Sequence, residues 1–384
     1  MTEPTALAVD LLRRLVAFDT TSDRPNRPLI GYVRDFLAHY GIAARVIPDS
    51  TGDKANLLAT VGPSGQPGIV LSGHTDVVPV AGQTWTSDPF TVTERDGRYY
   101  GRGTADMKGF LACILALAPE LAARPPAIPV HFALSYDEEV GCRGAPDLVA
   151  AAGDLSPPPA LVVVGEPTDM RVIHAHKGKH AGTCTVTGRE SHSALPHHGI
   201  NAVEIAGELV AGMAEAARSR AEGPLDDGFD PPYTTVHTGT IAGGTAVNIV
   251  PRSCTFGWEV RALPSDDPDA ALAPVRRELS GRLEARMRAV APETGIAWTD
   301  SIRFPGLAEP ADSPAVRRVL AAAGETAAGK VSFGTEAGLY REAGMPAVVC
   351  GPGSITQAHK PDEFVSTRQL AACEGFLRAL IEAG

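Results

Sequence analysis

Three apolar runs in the first half of the chain are short, rich in β-branched residues and closed by Gly or Pro: "GIVLSG" (68–73), "IPVHFALS" (128–135) and "ALVVVGE" (160–166). Between the first two lies "TADMKGFLACILALAPELAA", apolar at helical spacing. A strand buried on both faces loses its polar alternation, so continuous apolar strands separated by helices predict a largely parallel sheet flanked by helices. The same texture returns near the carboxyl end, with helix "SPAVRRVLAAAGET", strand "AVVCG" (347–351) and helix "STRQLAACEGFLRALIEA". At the other end, "MTEPTALAVDLLRRLVAFDTTS" has an acid before its apolar stretch and Arg13 and Arg14 inside it. It reads as an amphipathic helix and not as a signal peptide.

The middle of the chain is patterned differently. "GTCTVTG" (182–188) is a strand, "NAVEIAGELVAGMAEAARSRA" an amphipathic helix, and "TTVHTGTI" and "SCTFGWEVRA" alternate with period two. "DPDAALAPVRRELSGRLEARMRAVA" is helical and "GIAWTD" a strand. The order β-α-β-β-α-β is a ferredoxin-like arrangement. The expectation is an α/β domain over 1–179 and 299–384, interrupted by an α+β domain over 180–298. Length agrees, since 384 residues exceed the roughly 250–300 at which a single core stops growing.

Composition removes several classes of function. The net charge is −11, without a block of Lys or Arg and without basic residues interleaved with aromatics, which argues against a nucleic-acid surface and favours cationic small molecules. No apolar run approaches the ~18–20 residues of a membrane span, and the expected location is the cytoplasm. The six cysteines (113, 142, 184, 254, 350, 373) are scattered with no Cys-x-x-Cys pair, so they read as buried thiols.

In open α/β sheets ligands gather beyond the carboxyl ends of the strands. "IVLSG" ends at His74 and Asp76, "IPVHFALSY" at Asp137, Glu138 and Glu139, "LVVVG" at Glu166, and "AVVCGPGSITQA" runs on to His359. Asp106 stands at the start of a helix in "GRGTADMKG". Each alone is an ordinary turn or cap residue; together they place every acid and histidine at one edge. Two imidazoles and three carboxylates without thiolate suit a pair of divalent ions, zinc first and cobalt or manganese next. Of the neighbours Glu138 and Glu139, one can coordinate while the other stays free as a base. Asp76 is placed to hold the distal ring nitrogen of His74. "GRGTADMKG" is not a dinucleotide fingerprint, and neither a phosphate-binding Gly-Lys-Ser/Thr nor a Gly-x-Ser-x-Gly elbow is present.

Taken jointly, "GHTDVVP", "WTSDPF", "YGRGTADMKG", "DEEVGCRGA", "VGEPT", "SHSALPHHGINA", "GGTAVNIVP" and "AHKPDEF" resemble the M20 family of co-catalytic zinc amidohydrolases and peptidases, over essentially the whole chain. The resemblance implies a zinc-peptidase-like fold whose inserted domain acts as a lid and makes a homodimer contact. It implies His74, Asp106 and Glu166 on one metal, Asp106, Glu139 and His359 on the other, and Glu138 as general base. His192 matches a histidine that stabilises the tetrahedral oxyanion, and Asn248 and Arg261 match positions that contact substrate. The implied reaction is hydrolysis of the N-acyl amide of an amino acid, N2-acetyl-L-ornithine first. Succinyl-diaminopimelate and general dipeptide or acyl-amino-acid substrates are the alternatives, and a catalytically silent metal-binding homologue is the alternative of another class. Lys179 and His180 stand where the desuccinylase branch shows a pair of arginines. Glu336 in "GTEAG" has two readings, an acid near the pocket that attracts an ammonium or a helix-start acid complementing the dipole.

Overall fold

The computed structural model describes residues 3–383. The chain forms two compact units, one of Met1–Ala175, Leu307–Lys330 and Thr335–Gly384, the other of His176–Gly306 with Val331–Gly334. These limits differ from the 180 and 298 expected, because the first strand of the inserted unit starts at Gly178 and its last runs on to Phe304.

The main sheet of the first unit has nine strands. Eight lie in the order Ala44–Pro48, Ala55–Val61, Val130–Ser135, Ile69–His74, Leu161–Val164, Ala347–Val349, Ile173–His176 and Leu307–Ala308, and Gly329–Val331 pairs with Ile173–His176. The four central strands, Val130–Ser135 to Ala347–Val349, are mutually parallel. Their neighbours on both sides are antiparallel, which corrects the expectation of a largely parallel sheet. The cause is visible for the first pair: only residues 49–54 join its strands, far fewer than a parallel crossover needs.

The helix Lys108–Ala116 is buried at every position, packed between Ala6–Val16 and Thr367–Glu382. A helix apolar all round belongs inside a core. The pattern predicted one continuous element to residue 123, but Pro119 has no N–H to continue the ladder, and a second helix starts at Ala118. Two glycines let these layers approach. A Cβ on Gly165 would lie 2.0 Å from the Phe110 ring, and one on Gly351 would lie 2.0 Å from the Gly165 oxygen, so both positions demand glycine beside Glu166.

A three-stranded sheet, Phe364–Ser366 with Arg98–Tyr100 and Thr93–Arg95, was not anticipated. Its hairpin turns on Asp96 and Gly97, with φ of 52° and 68°. An Asp-Gly pair with both φ positive is a preferred two-residue hairpin turn, and that was the available signal.

In the inserted unit the strand order is Thr235–Gly243, Ser253–Ala262, Gly178–Thr187, Gly295–Phe304, all antiparallel. This is the ferredoxin-like order. Its helix Ala202–Ala221, capped by the Asn201 side chain, buries Leu209 and Met213 in one cluster with Phe256 and Trp258. The helix expected over 267–291 is three successive segments, with a π-helical stretch Pro274–Leu279 between α-helices. Pro274 at its start cannot donate to the preceding turn.

His176 is fully buried, and burial pushes its imidazole down to about 4, with a main-chain hydrogen bond at Lys177 opposing. The unfolded chain takes that proton near the ordinary value of 6.5, so between about 6.5 and 4 the unfolded state binds more protons and stability falls as pH falls. By about pH 5 the loss from one such group is on the order of 2 kcal/mol. Melting temperatures from pH 7 to 5 are expected to fall less steeply in His176→Asn than in the parent chain; parallel curves would show that the folded protein protonates His176 freely.

Candidate metal centre

Because the four central strands are parallel, their carboxyl ends share one edge, and the loops leaving them converge. His74 closes Ile69–His74, Glu138 and Glu139 follow Val130–Ser135, Glu166 follows Leu161–Val164, and His359 lies on the loop after Ala347–Val349. Asp106 arrives from the turn before Lys108–Ala116. The structure brings all six together.

Asp106 sits between the histidines. Its Oδ1 is 2.9 Å from His74 Nε2 and its Oδ2 is 3.3 Å from His359 Nε2. Glu166 approaches His74 at 3.8 Å, and Glu139 approaches His359 at 3.0 Å. Ligand atoms of His74, Asp106 and Glu139 lie within 4.8 Å of one another, as do those of His74, Glu138 and Glu166. Glu138 therefore borders the ligand set, within reach of anything held there. His74, Asp106 and Glu166 are buried, while His359 is exposed.

The charges fit cations. Burial first, then neighbouring carboxylates, raise Glu138 to about 8 and Glu139 to about 7, and hold Glu166 well above the usual carboxylate range. Asp106 is the exception, held low by hydrogen bonds from His359 and His74 that outweigh its burial. His359, paired with Asp106 and Glu139, is raised to about 10. Crowded acids of this kind are relieved by positive charge among them, and imidazole with carboxylate is a donor set for borderline divalent ions.

Asp76 does more than the sequence suggested, and differently. The ring Nδ1 of His74 is 2.9 Å from the main-chain oxygen of Asp76 and 3.6 Å from its carboxylate. Donation to that carbonyl orients the ring and leaves Nε2 facing Asp106. The carboxylate instead accepts from the backbone N–H of Glu138 (3.1 Å) and Glu139 (3.3 Å) and from the Ser22 hydroxyl (2.8 Å). One acid thus anchors the loop carrying both glutamates. Asp137, at φ 55°, is tied down by Lys54 Nζ at 2.5 Å.

Glu336 is closed off from solvent. It is 1% exposed, and its two oxygens accept from the hydroxyls of Ser72 (2.6 Å) and Ser135 (2.7 Å). It precedes the helix Ala337–Glu342, so the helix-start reading describes its place. His192, Asn248 and Arg261 lie in the inserted unit. His192 is exposed and bridged to Ile249, which sets it beside Asn248, whose carbonyl accepts from the Ser193 N–H at 3.1 Å. Arg261 is engaged with Glu259 at 2.8 Å. Sequence reasoning passed over Ser22, the Cys142 thiol that donates to Glu138 Oε1 at 3.3 Å, and Glu363. For Glu363 the only signal was its position four residues after His359.

Two imidazoles, one of them buried, clustered with carboxylates at the carboxyl ends of parallel strands, with a further acid beside them, are the fold and site of a metal-dependent hydrolase. Residues 70–383 match the family described as Peptidase family M20/M25/M40. The chain belongs to that family. It is 39% identical over 377 residues to an acetylornithine deacetylase of Myxococcus xanthus, covering 95% of this chain and 94% of that one. Its fold is similar to that of an M20 family metallo-carboxypeptidase from Sulfolobus solfataricus, with a TM-score of 0.78, 16% identity and coverage of 98% of this chain and 99% of that one. It is also similar to a dinuclear metal binding peptidase of the M20 family from Bacillus subtilis, with a TM-score of 0.64, 16% identity and coverage of 98% and 97%.

Proposed function

We propose that the chain hydrolyses the N-acyl amide of an amino acid in a two-metal site, converting N2-acetyl-L-ornithine and water to acetate and L-ornithine, a step of arginine biosynthesis. The observation that carries the reaction is the division of Asp106 between two histidines, one oxygen to each, with Glu138 beside them. The similarity to an acetylornithine deacetylase supports the substrate. His74, Asp106 and Glu166 would hold one ion and Asp106, Glu139 and His359 the other, with zinc first and cobalt or manganese next. Bound there, such ions supply Lewis acidity, polarising the amide carbonyl and lowering the pKa of a water.

Glu138 takes the proton from the attacking water and returns it to the leaving amine. Asp76 keeps the Glu138 loop and the His74 ring in register for that transfer. The assignment of His192 to the oxyanion, and of Asn248 and Arg261 to substrate contact, rests on their motifs. A cytoplasmic homodimer formed through the inserted unit belongs to the same reading; the edge strand Thr235–Gly243, largely exposed, is compatible with it.

Lys179 is paired with Glu259 at 3.1 Å and His180 is fully buried, so neither offers a loose cation to a succinyl carboxylate. Turnover of metal-stripped and zinc- or cobalt-restored protein on N2-acetyl-L-ornithine and N-succinyl-LL-diaminopimelate, side by side, tests the substrate. Metal-dependent release of ornithine is expected, with kcat/KM higher on the acetyl substrate by on the order of 10²-fold or more. Preference for the succinyl compound would overturn the substrate and leave the reaction class standing.

A further inference from the structure

Glu363 is 1% exposed and satisfies four donors. Its Oε1 accepts from the backbone N–H of Ala105 (2.8 Å) and Asp106 (3.1 Å), and its Oε2 from Gly103 N–H (3.0 Å) and Arg102 Nη1 (2.7 Å). Arg102, also 1% exposed, lies over the Trp85 ring at 5.0 Å and donates from Nη2 to Gln83 Oε1 at 2.6 Å. The amide of Gln83 then donates to the main-chain oxygen of His359 at 2.8 Å. His359 itself is held at φ 64°, in the left-handed region that a non-glycine residue adopts only when its surroundings impose it.

One carboxylate therefore fastens the backbone of Asp106 from a position four residues beyond His359, and Arg102 with Gln83 closes the ring onto His359. The main chain reinforces it, since the Gly101 N–H donates to the Glu363 oxygen at 2.9 Å and Phe364 pairs with Tyr100. His74 and Glu166, by contrast, stand at and just beyond the ends of strands of the main sheet; the ring meets the shared ligand Asp106 through its backbone N–H and reaches His359 through its main-chain oxygen. We propose that Glu363, Arg102 and Gln83 are positioning residues for one metal subsite in particular, the one formed by Asp106, Glu139 and His359. The inference rests on the two-metal reading above. An ion pair that served folding alone would lower the metal-free melting temperature without favouring either subsite.

The test uses the full chain, stripped with chelator and titrated calorimetrically with Zn2+ or Co2+ alone, with His359→Ala and Glu166→Ala as references for the two subsites. Glu363→Gln keeps the shape of the side chain and removes its charge. Gln83→Leu, at a half-buried position outside the ion pair, leaves Arg102 and Glu363 in place and guards against a variant that does not fold. Both are expected to weaken, by about 10–100-fold, the same ion that His359→Ala loses, with the ion lost by Glu166→Ala held within about threefold. The metal-free melting temperature of Gln83→Leu should match the parent. Equal weakening of both ions, no weakening, or loss of the ion that Glu166→Ala loses would overturn the proposal. Uptake of only one ion by the parent chain would instead overturn the two-metal reading and the subsites with it.

Discussion

Replacing Glu138 by glutamine is expected to lower kcat by about 10²–10⁴-fold, with KM and the content of bound metal close to those of the parent protein. The substitution keeps the length of the side chain and leaves an amide oxygen where the Cys142 thiol donates at 3.3 Å, but it removes the carboxylate proposed above to take the proton. Anchoring of the loop does not depend on that side chain, because Asp76 grips the backbone N–H groups of Glu138 and Glu139. Steady-state kinetics and metal analysis on the same preparation decide the matter. Retained turnover would remove Glu138 as the base. Loss of an ion would make it a ligand, an alternative the geometry raises because Glu138 shares a 4.8 Å cluster with His74 and Glu166.

Stripping the divalent ions should abolish turnover and also soften the unit that carries the site. Without them, the crowded acids hold protons to relieve their repulsion, as the raised values of Glu138 and Glu139 near 8 and 7 indicate. Ions entering must displace those protons, so affinity should rise with pH across neutrality, and titrations in buffers of different ionisation enthalpy should reveal proton release. An ion at a thousandfold excess over its Kd stabilises the folded state by about 4 kcal/mol. At roughly 2–4 °C per kcal/mol for a unit of this size, chelation should lower the melting temperature by on the order of 10 °C, and zinc or cobalt should restore it. Lost activity with an unmoved melting temperature would mean that the ions act on chemistry alone.

What could be read beforehand followed from local pattern plus one rule about sheets. The strands closing at His74, Ser135 and Val164 were visible as apolar runs, and parallel strands must deliver their following loops to one edge. Asp76 and Glu336 show where that reasoning stops. A carboxylate two residues from a ligand, or at a helix start, looks the same whichever partner it turns toward; only the packed structure shows Asp76 gripping the glutamate loop and Glu336 capped by two serines. Glu363 was harder still, because its role depends on two segments some 260 residues apart in sequence meeting through the small sheet at Tyr100 and Phe364. No periodicity encodes such a meeting. The antiparallel margins of the main sheet were missed for a plainer reason: apolar runs report burial and say little about strand direction.

The interruption of the first unit by the second sets an order of events during synthesis. Every strand of the inserted unit has been made once residue 304 leaves the ribosome, whereas the main sheet still lacks Ala347–Val349, the strand that lies between Leu161–Val164 and Ile173–His176. The younger segment of the polypeptide therefore completes the older one. Until it arrives, the apolar edge of Leu161–Val164 has no neighbour on that side, and His74, Asp106 and Glu166 wait without His359. A nascent chain paused between those points carries an exposed parallel edge, the stage at which a holding chaperone has most to protect.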